Sequence, residues 1–128
     1  MSPGSIEKVL MVDDDPNIRY ITEMSLVGLT DWKIKTASCG AEALKSVSEE
    51  RFDLILLDMM MPDMDGVACL CEMKNLLATE LPAVIFMTAK AHTQEIDHFR
   101  TLGVAGVITK PFDPMTLPEQ IEAILAPA

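Results

Sequence analysis

Val9-Leu10-Met11-Val12-Asp13-Asp14-Asp15-Pro16 sets four apolar residues directly against three carboxylates and a proline. The apolar run reads as a buried strand. Asp15 before Pro16 reads as a helix start, because an N-cap aspartate accepts a backbone N–H and a proline at the first helical position forfeits no hydrogen bond. A buried strand that passes at once into a helix is the opening of a strand–helix–strand unit. Adjacent carboxylates repel at neutral pH, so Asp13 and Asp14 at the strand end call for a cation, a proton or solvent. A bound hard cation is the expected relief, which makes this corner a candidate metal site.

Outward from that corner the alternation continues. Residues 8–12 form the first strand and 16–29 the first helix. Residues 32–37 alternate and are more polar, as at a sheet edge, and 41–50 follow as a helix capped near Ser38. Residues 54–57 are wholly apolar and predict a central strand. Over 66–78, Val67, Leu70, Met73 and Leu77 recur at helical spacing. Residues 83–87 are a further apolar strand, 93–102 a helix with Ile96 and Phe99 inward, and 107–109 a short last strand. Thr116-Leu117-Pro118-Glu119 fits a capping box opening a final helix, with Leu117, Ile121, Ile124 and Leu125 as its inward stripe. Five strands alternating with five helices predict an α/β fold, a doubly wound parallel sheet covered on both faces.

Composition bounds the function. A chain of 128 residues holds one ordinary core. A formal charge of -10 argues against direct nucleic-acid binding, which needs a basic stripe to neutralise phosphates. Cys39, Cys69 and Cys71 are odd in number and lie in or beside apolar stretches, so core cysteines in a reducing compartment are expected rather than disulfides. Cys69-x-Cys71 lacks a second ligand pair and makes no zinc site. The ten methionines read as core filler. With neither an apolar leader nor a run of bilayer length, the expected location is the cytoplasm. Residues 1–5 read as an N-terminal tail or cloning remnant, and residues 6–126 as one domain.

In doubly wound sheets, ligands bind at the carboxyl ends of the strands. The residues that follow the first, third, fourth and fifth predicted strands are Asp13-Asp14, Asp58, Thr88 and Lys110-Pro111. They converge on one rim.

Taken together, Val12-Asp13-Asp14, Leu56-Leu57-Asp58, Met61-Pro62-x-Met64-Asp65-Gly66, Met87-Thr88-Ala89 and Lys110-Pro111-Phe112 resemble the receiver domain of bacterial two-component response regulators. The resemblance spans residues 7–125 and implies the strand order 2-1-3-4-5. It implies a phosphorylation-controlled switch in which Asp58 accepts a phosphoryl group from a phosphohistidine of a histidine kinase or phosphotransfer protein. Asp13, Asp14, Asp58 and the Met60 backbone carbonyl would hold Mg2+, with Mn2+ as an alternative. Thr88, Ala89 and Lys110 would bind the phosphoryl oxygens, and Lys110-Pro111 would be a cis peptide. Met60 and Lys90 would modulate the lifetime of the phosphoryl group. The effector would meet the face of the fourth helix, fifth strand and fifth helix, with no membrane or direct nucleic-acid partner. Val107 departs from the family pattern: many receivers carry there an aromatic ring that swings with the threonine, and valine has none.

Rival readings are weaker. Asp63-Met64-Asp65-Gly66 begins like a calcium loop, but the later ligand positions are the apolar Val67-Ala68-Cys69-Leu70. A turn with a helix start fits better. His92 and His98 lack a ligand constellation and read as exposed helix positions. A metal-dependent phosphohydrolase would need a general acid and a substrate pocket that the sequence does not offer, so no multiple-turnover enzyme is expected. A degenerate receiver that only binds proteins is the other alternative, favoured by Val107 and opposed by the complete Asp13, Asp14, Asp58, Thr88 and Lys110 set.

Overall fold

Buried strands rich in Val, Leu, Ile and Met must satisfy their backbone groups by pairing with one another, and they do so in one sheet. The computed structural model describes residues 6–89 and 93–126, with only the backbone described over 93–96. Strands β1 (Lys8–Val12), β2 (Lys33–Ala37), β3 (Leu54–Asp58), β4 (Ala83–Thr88) and β5 (Gly106–Thr109) alternate with helices α1 (Pro16–Leu29), α2 (Gly40–Glu49), α3 (Gly66–Leu77), α4 (Thr93–Thr101) and α5 (Leu117–Leu125). All strand pairings are parallel, in the order β2-β1-β3-β4-β5. The α/β, doubly wound reading and the 2-1-3-4-5 order both hold. Among the described residues no helix is long and apolar enough to cross a membrane.

Strand alternation divides the core in two. Leu10, Val12, Ile55, Leu57, Val84 and Phe86 pack with Val47, Leu70, Met73 and Phe99, on the face covered by α2, α3 and α4. Val9, Met11, Leu54, Leu56, Ile85 and Met87 pack with Leu26, Leu117 and Ile121, on the face covered by α1 and α5. Because successive side chains point to opposite faces, a strand apolar at every position must be covered twice. β2 lies at an edge and shows the more polar alternation expected of it.

Local chemistry moves several boundaries. Trp32 precedes β2, because its N–H donates to the Thr30 hydroxyl in the preceding turn; its side chain is nevertheless buried. α2 begins one residue early, and its N-cap is Cys39, which makes no side-chain cap bond. Ser38 donates its N–H and hydroxyl to Glu42 instead, while Asp63, distant in sequence, accepts from Gly40 N (3.0 Å) and Ala41 N (2.9 Å). The charged Asp63 carboxylate thus caps α2 from another loop, where the helix dipole favours it.

The capping box at Thr116 does not form. Thr116 is the N-cap, but its backbone (φ -113°, ψ 0°) turns the hydroxyl toward the Asp113 carbonyl, 3.4 Å away. Pro118 removes one of the N–H donors that such a cap serves. A short 3-10 turn, Ala78–Glu80, follows α3.

The cysteine and methionine readings also need correcting in part. Cys69 is buried and Cys39 partly so, but Cys71 is exposed. Met11, Met73 and Met87 fill the core, whereas Met24, Met60 and Met115 are exposed. Phe99 is inward and His98 exposed as expected, while the Ile96 side chain and His92 lie outside the described residues.

Candidate functional site

Parallel pairing brings the carboxyl ends of β1, β3, β4 and β5 level, and the polar residues there form one pocket rim. The register sets Val12 beside Leu57, Asp58 beside Met87, and Thr88 beside Thr109. Asp13 follows β1, Asp58 ends β3, Thr88 ends β4 and Lys110 follows β5. Asp13 is fully buried, Asp58 is 4% exposed and Thr88 8%.

Lys110 reaches across this rim. Its ammonium lies 2.6 Å from Asp13 Oδ2 and 2.9 Å from Asp58 Oδ1, so one cation bridges two buried carboxylates. Asp13 Oδ1 accepts from Asp15 N (2.9 Å), and Arg19 donates to the Asp13 backbone carbonyl (2.7 Å). Asp58 Oδ1 has Met60 N at 3.4 Å. Burial pushes the Asp58 carboxyl above its usual range; the Lys110 hydrogen bond opposes this, and the nearby Asp13 charge adds to it. Burial pulls on the Lys110 ammonium in the opposite sense, but its bonds to Asp13 and Asp58 prevail and raise its pKa.

Oxygens of Asp13, Asp14 and Asp58 lie within 4.8 Å of one another, with Asp14 exposed and the other two buried. Three hard oxygen donors, one of them open to solvent, suit a magnesium ion that keeps part of its water shell. Asp15 stays apart: its carboxylate caps α1 by accepting from Asn17 N (2.8 Å).

The loops that carry these groups are held by backbone bonds. Met59 N donates to Met87 O (3.2 Å), Gly66 N to Met59 O (2.9 Å), and Lys110 N to Thr88 O (2.7 Å). Gly66 is required here, because a Cβ would meet the Asp58 carbonyl oxygen at 2.8 Å and Met59 Cα at 3.0 Å. Lys110-Pro111 is cis.

Every rim residue singled out from the sequence and described here, Asp13, Asp14, Asp58, Met60, Thr88, Ala89 and Lys110, lies on this one end of the sheet. Met60 is 77% exposed. Lys90 lies outside the described residues. Val107 is half-buried against the core and lines a cavity of about 350 Å³ with Arg100, Gly106 and Ile124, between α4, β5 and α5. Sequence reasoning missed two supports, the Arg19 bond to the Asp13 carbonyl and the Asp63 cap on α2. Neither leaves a motif, and the second joins two separate loops.

Comparison with known proteins follows the same lines. A family model described as the response regulator receiver domain matches residues 9–122. Sporulation initiation phosphotransferase F of Bacillus subtilis (strain 168) is 38% identical over 107 residues, with 84% of either chain covered. A probable transcriptional regulator, ycf27 of Guillardia theta, is 36% identical over 121 residues, covering 93% of this chain and 45% of that protein. The chain thus spans about half the length of several curated relatives. Among solved structures, the chemotaxis protein CheY4 of Vibrio cholerae superposes with a TM-score of 0.84 at 28% identity, covering 94% of this chain and 99% of that one. A BeF3-activated DrrB receiver domain gives 0.78 at 29% identity, covering 94% and 97%.

Proposed function

The chain belongs to the response regulator receiver domain family, and from that premise we propose that it is a phosphorylation-controlled switch with Asp58 as the phosphoryl acceptor. One observation carries the reading: the Asp58 carboxylate is buried at a strand end, bound by Lys110, within 4.8 Å of two further carboxylates. An Asp58 carboxylate oxygen attacks the phosphorus of a phosphohistidine on a histidine kinase or phosphotransfer protein. The P–N bond breaks, its electron pair returns to the imidazole, and an aspartyl phosphate remains.

Positioning and charge neutralisation are what such a transfer requires. Lys110 supplies a fixed positive charge on one side. Asp13, Asp14, Asp58 and the Met60 carbonyl would hold Mg2+, or Mn2+ in its place, which supplies charge neutralisation at the phosphoryl oxygens when bound. The Thr88 hydroxyl and Ala89 N–H donate to phosphoryl oxygens, and Met60 and Lys90 set how long the group survives.

Contacts made only after modification shift a two-state equilibrium toward the form that engages the effector, on the α4–β5–α5 face. Val107 has no ring to reorient, so loop movement carries the change. The domain spans residues 6–126, works in the cytoplasm, and turns over no substrate of its own.

Intact-mass measurement with magnesium and acetyl phosphate tests this. A single phosphoryl adduct, dependent on the metal, base-labile and absent from Asp58→Asn, is expected. No adduct with acetyl phosphate or any phosphohistidine donor would overturn the reading, and sustained phosphate release from a phosphoester without an adduct would favour a hydrolase.

A further inference from the structure

At the opposite end of the sheet from Asp58, a cavity of about 270 Å³ opens between the C-terminal ends of α2 and α3. Its floor is apolar, built from Val47, Phe52, Leu77 and Pro82. Its rim is mostly acidic. Of the three carboxylates there, Glu50 is already balanced by Lys8 (2.6 Å) and Lys35 (2.5 Å). Asp53 uses Oδ2 to accept from the backbone N–H groups of Glu7 and Lys8. Glu80 faces Arg51 at 3.4 Å, a long contact between two well-exposed side chains.

Two helix C-termini add to the negative potential. α2 has no basic residue in its last turn, and the one in the last turn of α3, Lys74, gives its ammonium to the Leu102 carbonyl. Exposed carbonyl ends of helices favour cations. Small-molecule sites usually run from roughly 300 to 1,000 Å³, so this cavity is sized for one long side chain.

We propose that this cavity is a docking site for an arginine side chain presented by a partner protein, with its aliphatic stem on the apolar floor and its guanidinium on Glu80 in place of Arg51. Arg51 already shows that the rim accepts a guanidinium. Its pair with Glu80 is exposed and long, so an incoming arginine displaces it at little cost. Guanidinium rather than ammonium is favoured, because its planar fork matches a carboxylate and its weak hydration suits an apolar surround. The site is remote from the phosphoryl rim and stands independently of the switch reading. A partner could therefore remain bound at this end while a phosphodonor engages the other.

The test uses the whole chain, labelled with 15N, and Nα-benzoyl-L-arginine amide as probe. Saturable shifts at Phe52, Asp53, Leu77 and Glu80 are expected at millimolar concentrations, with the neutral citrulline analogue about fivefold weaker or worse. Glu80→Gln should weaken the probe about fivefold, and Arg51→Ala, which removes the internal competitor, should tighten it severalfold; Arg100→Ala, remote from the cavity, should leave it unchanged. The dispersion of the 15N spectrum, unchanged away from the cavity, reports that each variant is folded. Shifts spread evenly over the acidic surface, equal binding of the citrulline analogue, or no tightening in Arg51→Ala would each overturn the proposal.

Discussion

Lys110 is the cation that the two buried carboxylates of the rim share. It holds Asp13 and Asp58 at once, so its removal leaves two buried carboxylates facing each other. Breaking a buried pair by deleting one partner typically destabilises by 3–5 kcal/mol, and partial solvent access at the rim reduces that here to roughly 2–3 kcal/mol. Lys110→Ala should therefore melt lower in EDTA, recover part of the loss in magnesium, and label poorly with acetyl phosphate. Equal losses of stability with and without magnesium would count against shared charge at the rim. The cysteines make a second residue-scale case. Burial pushes the Cys69 thiol up to about 12, so it stays protonated and shielded at pH 8, whereas Cys71 is exposed. Iodoacetamide at pH 8 should modify Cys71 on the native protein and reach Cys69 only after unfolding, as peptide mass mapping would reveal.

At the scale of elements, the site depends on how α3 returns to β3. Asp65 caps α3 by accepting from Ala68 N (2.7 Å), and Gly66 then passes against the Asp58 carbonyl with no room for a side chain. Both neighbours at that contact are backbone, so Gly66→Ala must displace the acceptor strand or the helix start. Overpacking of this kind costs about 1–3 kcal/mol. The variant should lose that much stability in urea melts and also label more slowly at Asp58; unchanged labelling would mean that the strand end is not what moves. The neighbouring Met61-Pro62-Asp63 segment serves another element altogether, since Asp63 closes the open end of α2.

For the whole molecule, the excess of negative charge and the carboxylate corner point the same way. The folded rim collects three carboxylates that the unfolded chain scatters, so a divalent cation binds the native state preferentially. Magnesium at about a hundred times its dissociation constant should add about 2.7 kcal/mol of stability by mass action. Thermal melts across a magnesium titration check this, with potassium chloride at matched ionic strength as the control for screening. An identical melting temperature in both salts would speak against a metal site at Asp13 and Asp14.

How much was legible in the sequence differs by the range of the interaction. Continuous apolar runs of strand length, apolar stripes at helical spacing, and Asp-Pro at a helix start are local patterns, and local physics is enough to read them; hence the ten elements and the N-cap role of Asp15. The rim could be anticipated because parallel strands all end on one side, so residues that follow strands meet whatever the loops do. Helix starts were less secure. The caps at Ser38 and Thr116 looked local but were decided by competitors, Asp63 reaching in from another loop and the Asp113 carbonyl drawing the Thr116 hydroxyl away. Sequence alone determined the fold class, the strand-end residues and the charge that calls for a cation. Tertiary structure alone decided that Lys110 spans Asp13 and Asp58, that Asp63 caps α2 from another loop, and that an acidic-rimmed cavity opens at the far end of the sheet, because each of these arises from distances between segments that no local pattern encodes.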